Sequence, residues 1–289
     1  MKYNKNIILI VLFLFIFSGC SNVKNDQIIF ESSTIENAVR SKLEIPNGLI
    51  TTDMIQELNY MEIANGELSF HFITQNQGKD ENKIVADRNE KIGFPLSFKQ
   101  EKIGESPAIY WENALLSPVD IDLTGIENLK EVEFVTVFVP SSDTLKQISK
   151  MDTVRHLSIY LQKDQTMDLS VISGMKNLEV LDISGGNIEN AKNFSKMKNL
   201  AQLNLTNGIV LDSWEFLKQM GWIEHLTVPS TFHDLNFIHG EKLNYLDISQ
   251  TNISDISHIA AMPKLETLNI TGLQIENPSY LQNIKNIIQ

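Results

Sequence analysis

The chain has 289 residues, 42% of them hydrophobic and 21% charged, the composition of a folded chain with one large domain or two small ones and not of a disordered one. Its net charge of −12 argues against a nucleic-acid partner, because neutralising phosphates needs a surplus of Lys and Arg. Its single cysteine, Cys20, excludes an intrachain disulfide and a multi-cysteine zinc site.

The N-terminus reads as a targeting segment. Lys2 and Lys5 precede an uninterrupted apolar run of 11 residues, 7–17. That length suits a signal peptide and falls short of the roughly 20 residues that span a bilayer. Ser18-Gly19-Cys20 follows at once. Small residues before a cysteine at this place resemble the lipobox of bacterial lipoproteins, with Phe17 standing where that family usually has Leu, Val or Ile. The resemblance implies removal of residues 1–19 and a diacylglycerol on the Cys20 sulfur. It implies an extracytoplasmic chain anchored to a bacterial membrane by that lipid. Residues 20–27 are polar after the cysteine and read as a short tether.

Residues 28–57 read as two helices. Ile35, Ala38, Val39 and Leu43 share a helical face, Pro46-Asn47-Gly48 breaks the pattern, and Thr51 or Thr52 starts a second, short helix. Ile35-Glu36-Asn37-Ala38-Val39-Arg40, the Pro46-Asn47-Gly48 turn and Thr52-Asp53-Met54 before Leu58 resemble the helical N-terminal cap of bacterial leucine-rich-repeat proteins. Such a cap covers the apolar edge of a first repeat that has no neighbour.

From residue 58 on, the chain is organised by a repeat, seen most plainly in LEVLDISGGNIENAKNFSKMKNL, which starts at Leu178. Leu181 and Ile183 alternate as in a strand, while Ile188, Phe194 and Met197 suit a tight turn or 3₁₀ segment. Taking Leu129, Val154, Leu178, Leu200, Ile223, Leu243 and Leu265 as first positions gives spacings of 25, 24, 22, 23, 20 and 22. Fourth and sixth positions are apolar throughout, from Val132/Phe134 to Leu268/Ile270. Apolar pairs such as Ile148/Met151 and Phe194/Met197 lead into each unit, except that Gly240 breaks the pattern before Leu243. Leu281/Ile284 leads to an eighth unit at Ile287, and these three residues are expected to fold back over the core and leave a partly exposed edge.

These units resemble the 22-residue bacterial leucine-rich repeat. The resemblance implies an α/β solenoid, a horseshoe with a parallel concave sheet and short 3₁₀ or irregular convex segments. The family's Asn at the ninth position is replaced by Gly186, Gly208, Thr251 or Leu273, so the usual Asn ladder is expected to be incomplete or replaced. The repeat domain, 58–289, is interrupted at about 64–118. There Leu68/Phe70/Phe72 and Phe94/Leu96/Phe98 alternate as strands, 75–82 reads as a loop and 107–116 is apolar enough to pack back on the solenoid.

No catalytic or metal motif stands out. His156 and His225 share the third strand position three repeats apart, about 14 Å, too far to share an ion. Asp182 and Asp247 share the fifth position, with Glu133, Asn204 and Asn269 in the same column and the same three-repeat separation. There is no GxSxG, no GxxxxGK[ST], no GxGxxG after a strand and no calcium-loop register. No cofactor is implied, and the chain reads as a binding protein and not an enzyme. The outward third positions run Glu131, His156, Val180, Gln202, His225, Tyr245 and Thr267, and Tyr160 heads the seventh. Tyr160, Gln202, His225 and Tyr245 are therefore the candidate contacts for a protein partner, where Tyr anchors are frequent. Two alternatives are a glycan or cell-wall ligand on the same face, and a hydrolase built in the 64–118 insertion.

Overall fold

A computed structural model describes residues 27–64, 66–71, 118 and 120–289. The signal segment, Cys20 and most of the 64–118 interruption, with its expected second strand, its loop and its apolar stretch, lie outside the described residues.

Helix α1, Ser33–Leu43, begins where Ser32 places its hydroxyl under the first turn and accepts from the N–H groups of Thr34 and Ile35. The same hydroxyl donates to the Asp122 carbonyl at 2.7 Å, which ties the helix to the body. Ile35 and Val39 are the buried face, and Glu44, at φ 57, ends the helix. A short helix α2, Thr52–Ile55, leads into β1, Tyr60–Ala64, and β2, Glu67–His71. The strands that follow are β3 (Phe134–Phe138), β4 (His156–Tyr160), β5 (Thr166–Asp168), β6 (Val180–Ser184), β7 (Asn187–Glu189), β8 (Gln202–Thr206) and β9 (Val210–Leu211). The last four are β10 (His225–Thr227), β11 (Tyr245–Asp247), β12 (Thr267–Asn269) and β13 (Asn286–Ile288).

Ten of these strands form one sheet in the order β13-β12-β11-β10-β8-β6-β4-β3-β1-β2. All neighbours are parallel except β2, which returns antiparallel along β1 with Met61 opposite Phe70. Glu67–His71 therefore belongs to the sheet, not to an excursion from it, and α1 packs against it. Chain between the strands runs in 3₁₀ segments such as Leu169–Gly174, Ala191–Lys196 and Ser257–Ala261, with a short α-helix of about two turns, Ser142–Ile148, capped by the Ser141 hydroxyl. Fourth- and sixth-position residues from Leu157/Ile159 to Leu268/Ile270 are buried. Each fully buried aliphatic chain stabilises by about 1.5–3 kcal/mol relative to exposure. This is a leucine-rich-repeat solenoid.

The register corrects the reading of both ends. Phe134 pairs with His156 and Val135 with Leu157. The first position of that unit is therefore Val132, and Val135/Val137, not Val132/Phe134, are its inward pair. Leu129 does the work of Met151 and Met175: each sits one turn before its strand and donates its N–H three residues back, to Ile126, Ile148 and Ile172. Glu133 leaves the fifth column, where Thr136 pairs with Ser158, and Glu131 leaves the third. At the other end Ile287 pairs with Leu268, so Ile287 is a fourth position and Ile284 a first. Ile287 does not fold back. It continues the stack, 38% exposed, with Ile288 43% exposed, while Leu281 and Ile284 pack partly buried on the core.

The broken lead at Gly240 has a packing cause: a methyl group there would meet Met262, whose Cβ lies 3.0 Å away, so a neighbouring repeat fills the space. The ladder expected from ninth-position Asn is replaced twice. Backbone bonds carry the stack past the strand ends, Val139 to Tyr160, Leu161 to Ser184 and Gly185 to Thr206. Before the strands, Asn177 donates to the Asp152 carbonyl and Asn199 to that of Lys176. A small parallel sheet, β5-β7-β9, adds a further layer of pairing between repeats.

Beside that small sheet Asp168 accepts from the Ser170 N–H at 2.8 Å and from the Asn190 side chain at 2.9 Å, joining two repeats. The Ser170 bonds, foremost its backbone N–H, hold the Asp168 carboxyl below its usual range. A depressed folded-state value means the contribution is present above the unfolded value of about 3.9 and is lost as pH falls through the lower folded one. Asp168→Ala should cost about 1 kcal/mol in urea unfolding at neutral pH, and the gap to the parent should close as pH falls through the acid range. A gap that persists in acid would show that the carboxylate is not its source.

Candidate functional site

A parallel sheet stacks identical positions of successive repeats into columns whose neighbouring members lie about 4.8 Å apart. Outward third and fifth positions line the concave face, so what each repeat places there decides what the face can touch. Gln202, His225 and Tyr245 pair directly, strand to strand, on β8, β10 and β11. The His225 and Tyr245 rings stack with centroids 5.5 Å apart and planes 17° from parallel. All three residues are partly exposed. Burial first, then the Asp247 charge and a hydrogen bond to it, raise the Tyr245 phenol above its ordinary pKa. Asp247 is itself positioned by the Asn269 side chain at 2.9 Å and by the Ser249 N–H at 2.8 Å. The result is a flat two-ring shelf with a carboxylate and a carboxamide at its rim.

Tyr160 stands apart. It lies on β4, three strands from β10, and its ring stacks on Phe138 at 4.6 Å. The structure thus brings three of the four candidates together and puts Tyr160 in a second aromatic pair. His156, which by position should face outward like His225, is buried at 2% exposure. Ser158, Thr136 and Val180 beside it are buried too. The sequence marks all outward positions alike and carries no sign of this difference along the column.

His156, Ser158 and Asp182 meet, and their residue types invite comparison with a nucleophilic triad. His156 Nε2 lies 2.6 Å from Asp182 Oδ2 and 3.2 Å from Ser158 Oγ, and Ser158 Oγ donates to the same Oδ2 at 3.0 Å. In a triad the acid and the nucleophile bind opposite ring nitrogens, so that one orients the imidazole while the other gives up a proton. Here both use Nε2. With Asn204 donating to Asp182 Oδ1 at 2.6 Å, the cluster is a polar link across β4, β6 and β8.

Among the described residues no group of three or more His, Cys, Asp and Glu side chains is placed to hold a metal ion. A groove of about 430 Å³ runs along the entry ends of the strands, lined by Lys130, Asp152, Arg155 and Glu179 among others. Two ion pairs close within it, Lys130 with Asp152 at 2.9 Å and Arg155 with Glu179 at 2.6 Å, and Glu133 adds a further carboxylate to the lining. Second strand positions build it, and the sequence signal was the Glu133, Arg155, Glu179 alternation. Among the described residues no helix is long and apolar enough to cross a membrane.

A comparison with protein-family models gives no match, and a comparison with curated proteins gives none either. Solved structures do match. An internalin (inlF) from Listeria monocytogenes is similar over 90% of this chain and 95% of its own, at 12% identity and a TM-score of 0.46. An internalin C2 from the same organism covers 90% of this chain and 93% of its own, at 17% identity and 0.44. A leucine-rich-repeat protein of Leptospira interrogans covers 64% and 59%, at 18% identity and 0.42. These likenesses carry nothing about partners, and the fold assignment rests on the sheet itself: parallel strands in sequence order, inward fourth and sixth positions, and 3₁₀ returns.

Proposed function

We propose that this chain is a protein-binding module, held outside a bacterial cytoplasmic membrane by a lipid on Cys20, and that it contacts its partner through the Gln202–His225–Tyr245 stretch of the concave face. One observation carries the reading: the 5.5 Å His225–Tyr245 stack, outward and partly exposed, on positions the core does not need. Flat aromatic area with polar rims is the usual make-up of a binding hot spot. Binding is favoured over catalysis because the His156–Ser158–Asp182 grouping has its acid and its hydroxyl at the same ring nitrogen, Nε2. The test is photo-crosslinking from position 225 in the mature, membrane-held chain, with position 192 on the convex side as control. A protein captured from 225 and not from 192 supports the reading. Capture of glycan alone, or capture from 192 alone, overturns it.

The anchor is tested separately. Cys20→Ser should abolish acyl labelling and move the chain from the membrane fraction to the medium or to an uncleaved precursor. Equal detergent extraction of variant and parent, with acyl label on neither, would sink the lipid anchor.

A further inference from the structure

The N-terminal segment that enters the fold presents two large aliphatic side chains to solvent in a way the core does not explain. Gln27 bridges Thr51 in antiparallel sense, and the Ile28 N–H donates to the Ile50 carbonyl at 2.9 Å. That register sets Ile29 opposite Leu49. Side chains alternate across an extended pair, so two residues go in and two go out. Ile28 and Ile50 go in: Ile50 is 2% exposed and Ile28 packs partly buried on the core. Ile29 and Leu49 go out, 82% and 62% exposed. Single exposed aliphatics are ordinary, but two directly opposite each other form a patch. Met54, 42% exposed, lies in the short helix that follows. The loop carrying Leu49 is pinned, because Arg40 donates to the Gly48 carbonyl at 3.1 Å while pairing with Glu36 at 2.8 Å.

We infer that the outward Ile29–Leu49 pair rests on the lipid bilayer that holds the chain. The inference depends on the anchor at Cys20 proposed above. Its occupant follows from distance. Six residues, 21–26, separate Cys20 from Gln27, and whatever path the chain takes its seven Cα-to-Cα steps span at most about 25 Å. Of the large aliphatic side chains that the described surface exposes most, Ile29 and Leu49 lie nearest the anchor in sequence, and Ile29 stands two residues beyond Gln27. Two side chains are too small an area to bind a membrane unaided, but an anchored chain meets the bilayer as an intramolecular event, where a small apolar area suffices. Contact there would fix the tilt of the cap and with it the direction in which the concave face looks.

The test uses the full acylated chain in vesicles of phosphatidylethanolamine and phosphatidylglycerol. Leu49→Cys carries an environment-sensitive thiol probe, the Cys20 sulfur being blocked by its lipid, and Val210→Cys carries the same probe at a remote exposed site (49% exposed). Brominated acyl chains should quench the Leu49→Cys probe about twofold or more and leave the Val210→Cys probe unchanged, as expected for insertion of roughly 5–10 Å. Equal, weak quenching at both sites, with the protein acylated and floating with the vesicles, overturns the inference and leaves the anchor standing. A chain that is neither acylated nor vesicle-bound overturns the anchor, and the inference with it.

Discussion

Phe194→Ala should destabilise the solenoid by about 3–5 kcal/mol, the cost of removing a fully buried phenyl ring and leaving its cavity. Phe194 sits in the 3₁₀ segment Ala191–Lys196 and has no exposed surface. Its ring meets Phe216 edge-on at 5.3 Å, Phe216 lies 6.5 Å from Trp214, and Trp214 meets Phe232 edge-on at 4.9 Å. An aromatic spine therefore runs behind the sheet through successive repeats. A solenoid is stabilised by each repeat and by the interfaces between neighbours, so a hole in the spine weakens two interfaces at once. Collapse cannot fill it, because strand pairing on β6, β8 and β10 holds the flanking repeats at fixed spacing. Phe194→Leu keeps much of the volume and should cost clearly less. Urea unfolding of both variants decides the matter, and a loss under about 1 kcal/mol for Phe194→Ala would show that the spine is not continuous.

Most of this fold was legible because a period is a redundant signal. Six successive units from Val154 on agreed on the fourth and sixth positions, and the structure keeps every one of those pairs inward through Leu268/Ile270. The slips came where redundancy ran out. Leu129 and Val132 stand three apart, as first and fourth strand positions do, so the lead-in to the β3 unit mimicked a strand start. The period alone could have settled it, since Val132 stands 22 residues before Val154 and Leu129 stands 25 before it. At Ile287 the same three-residue ambiguity returned. The β5-β7-β9 sheet was not legible, because strands of two or three residues have no room to alternate. Nor were the Asn177 and Asn199 bonds, because an Asn before a strand reads as an ordinary turn residue until its partner carbonyl is placed beside it.

The candidate site was legible in its pairing and illegible in its exposure. Equal positions in adjacent repeats must become neighbours, so the contact between His225 and Tyr245 follows from spacing alone. Whether an outward residue meets solvent depends on what lies over it, and His156 and His225 hold the same position with different outcomes. Phe134 joined the third column only after the register was corrected, and it now stands 6.0 Å from the His156 ring. The concave face is thus graded, buried at Tyr60, Thr136, His156 and Ser158 on β1 to β4 and partly exposed from β8 to β12.

That gradation bears on the double change His225→Ala, Tyr245→Ala, which should weaken partner binding by about 2 kcal/mol, roughly 30-fold, or more. Neither ring belongs to the inward set and both are half-buried, so each truncation should cost no more stability than about 1.5 kcal/mol, the order of one ring stack. Binding would suffer because the two rings form one surface: removing either leaves the other without its stacking partner, so the single changes should not add. Tyr245→Phe separates area from polarity. It keeps the ring over His225 and loses the hydroxyl beside Asp247, so it should retain most of the affinity if the shelf acts through its faces. The Asp247 carboxylate and burial hold the phenol protonated beyond its ordinary range, so affinity should not fall as pH rises to the usual tyrosine value near 10. Titration calorimetry on the captured partner, with parent, double variant and Tyr245→Phe at matched folding, reads all of this directly. Affinity unchanged in the double variant would remove the shelf from the interface and turn attention to residues 64–118.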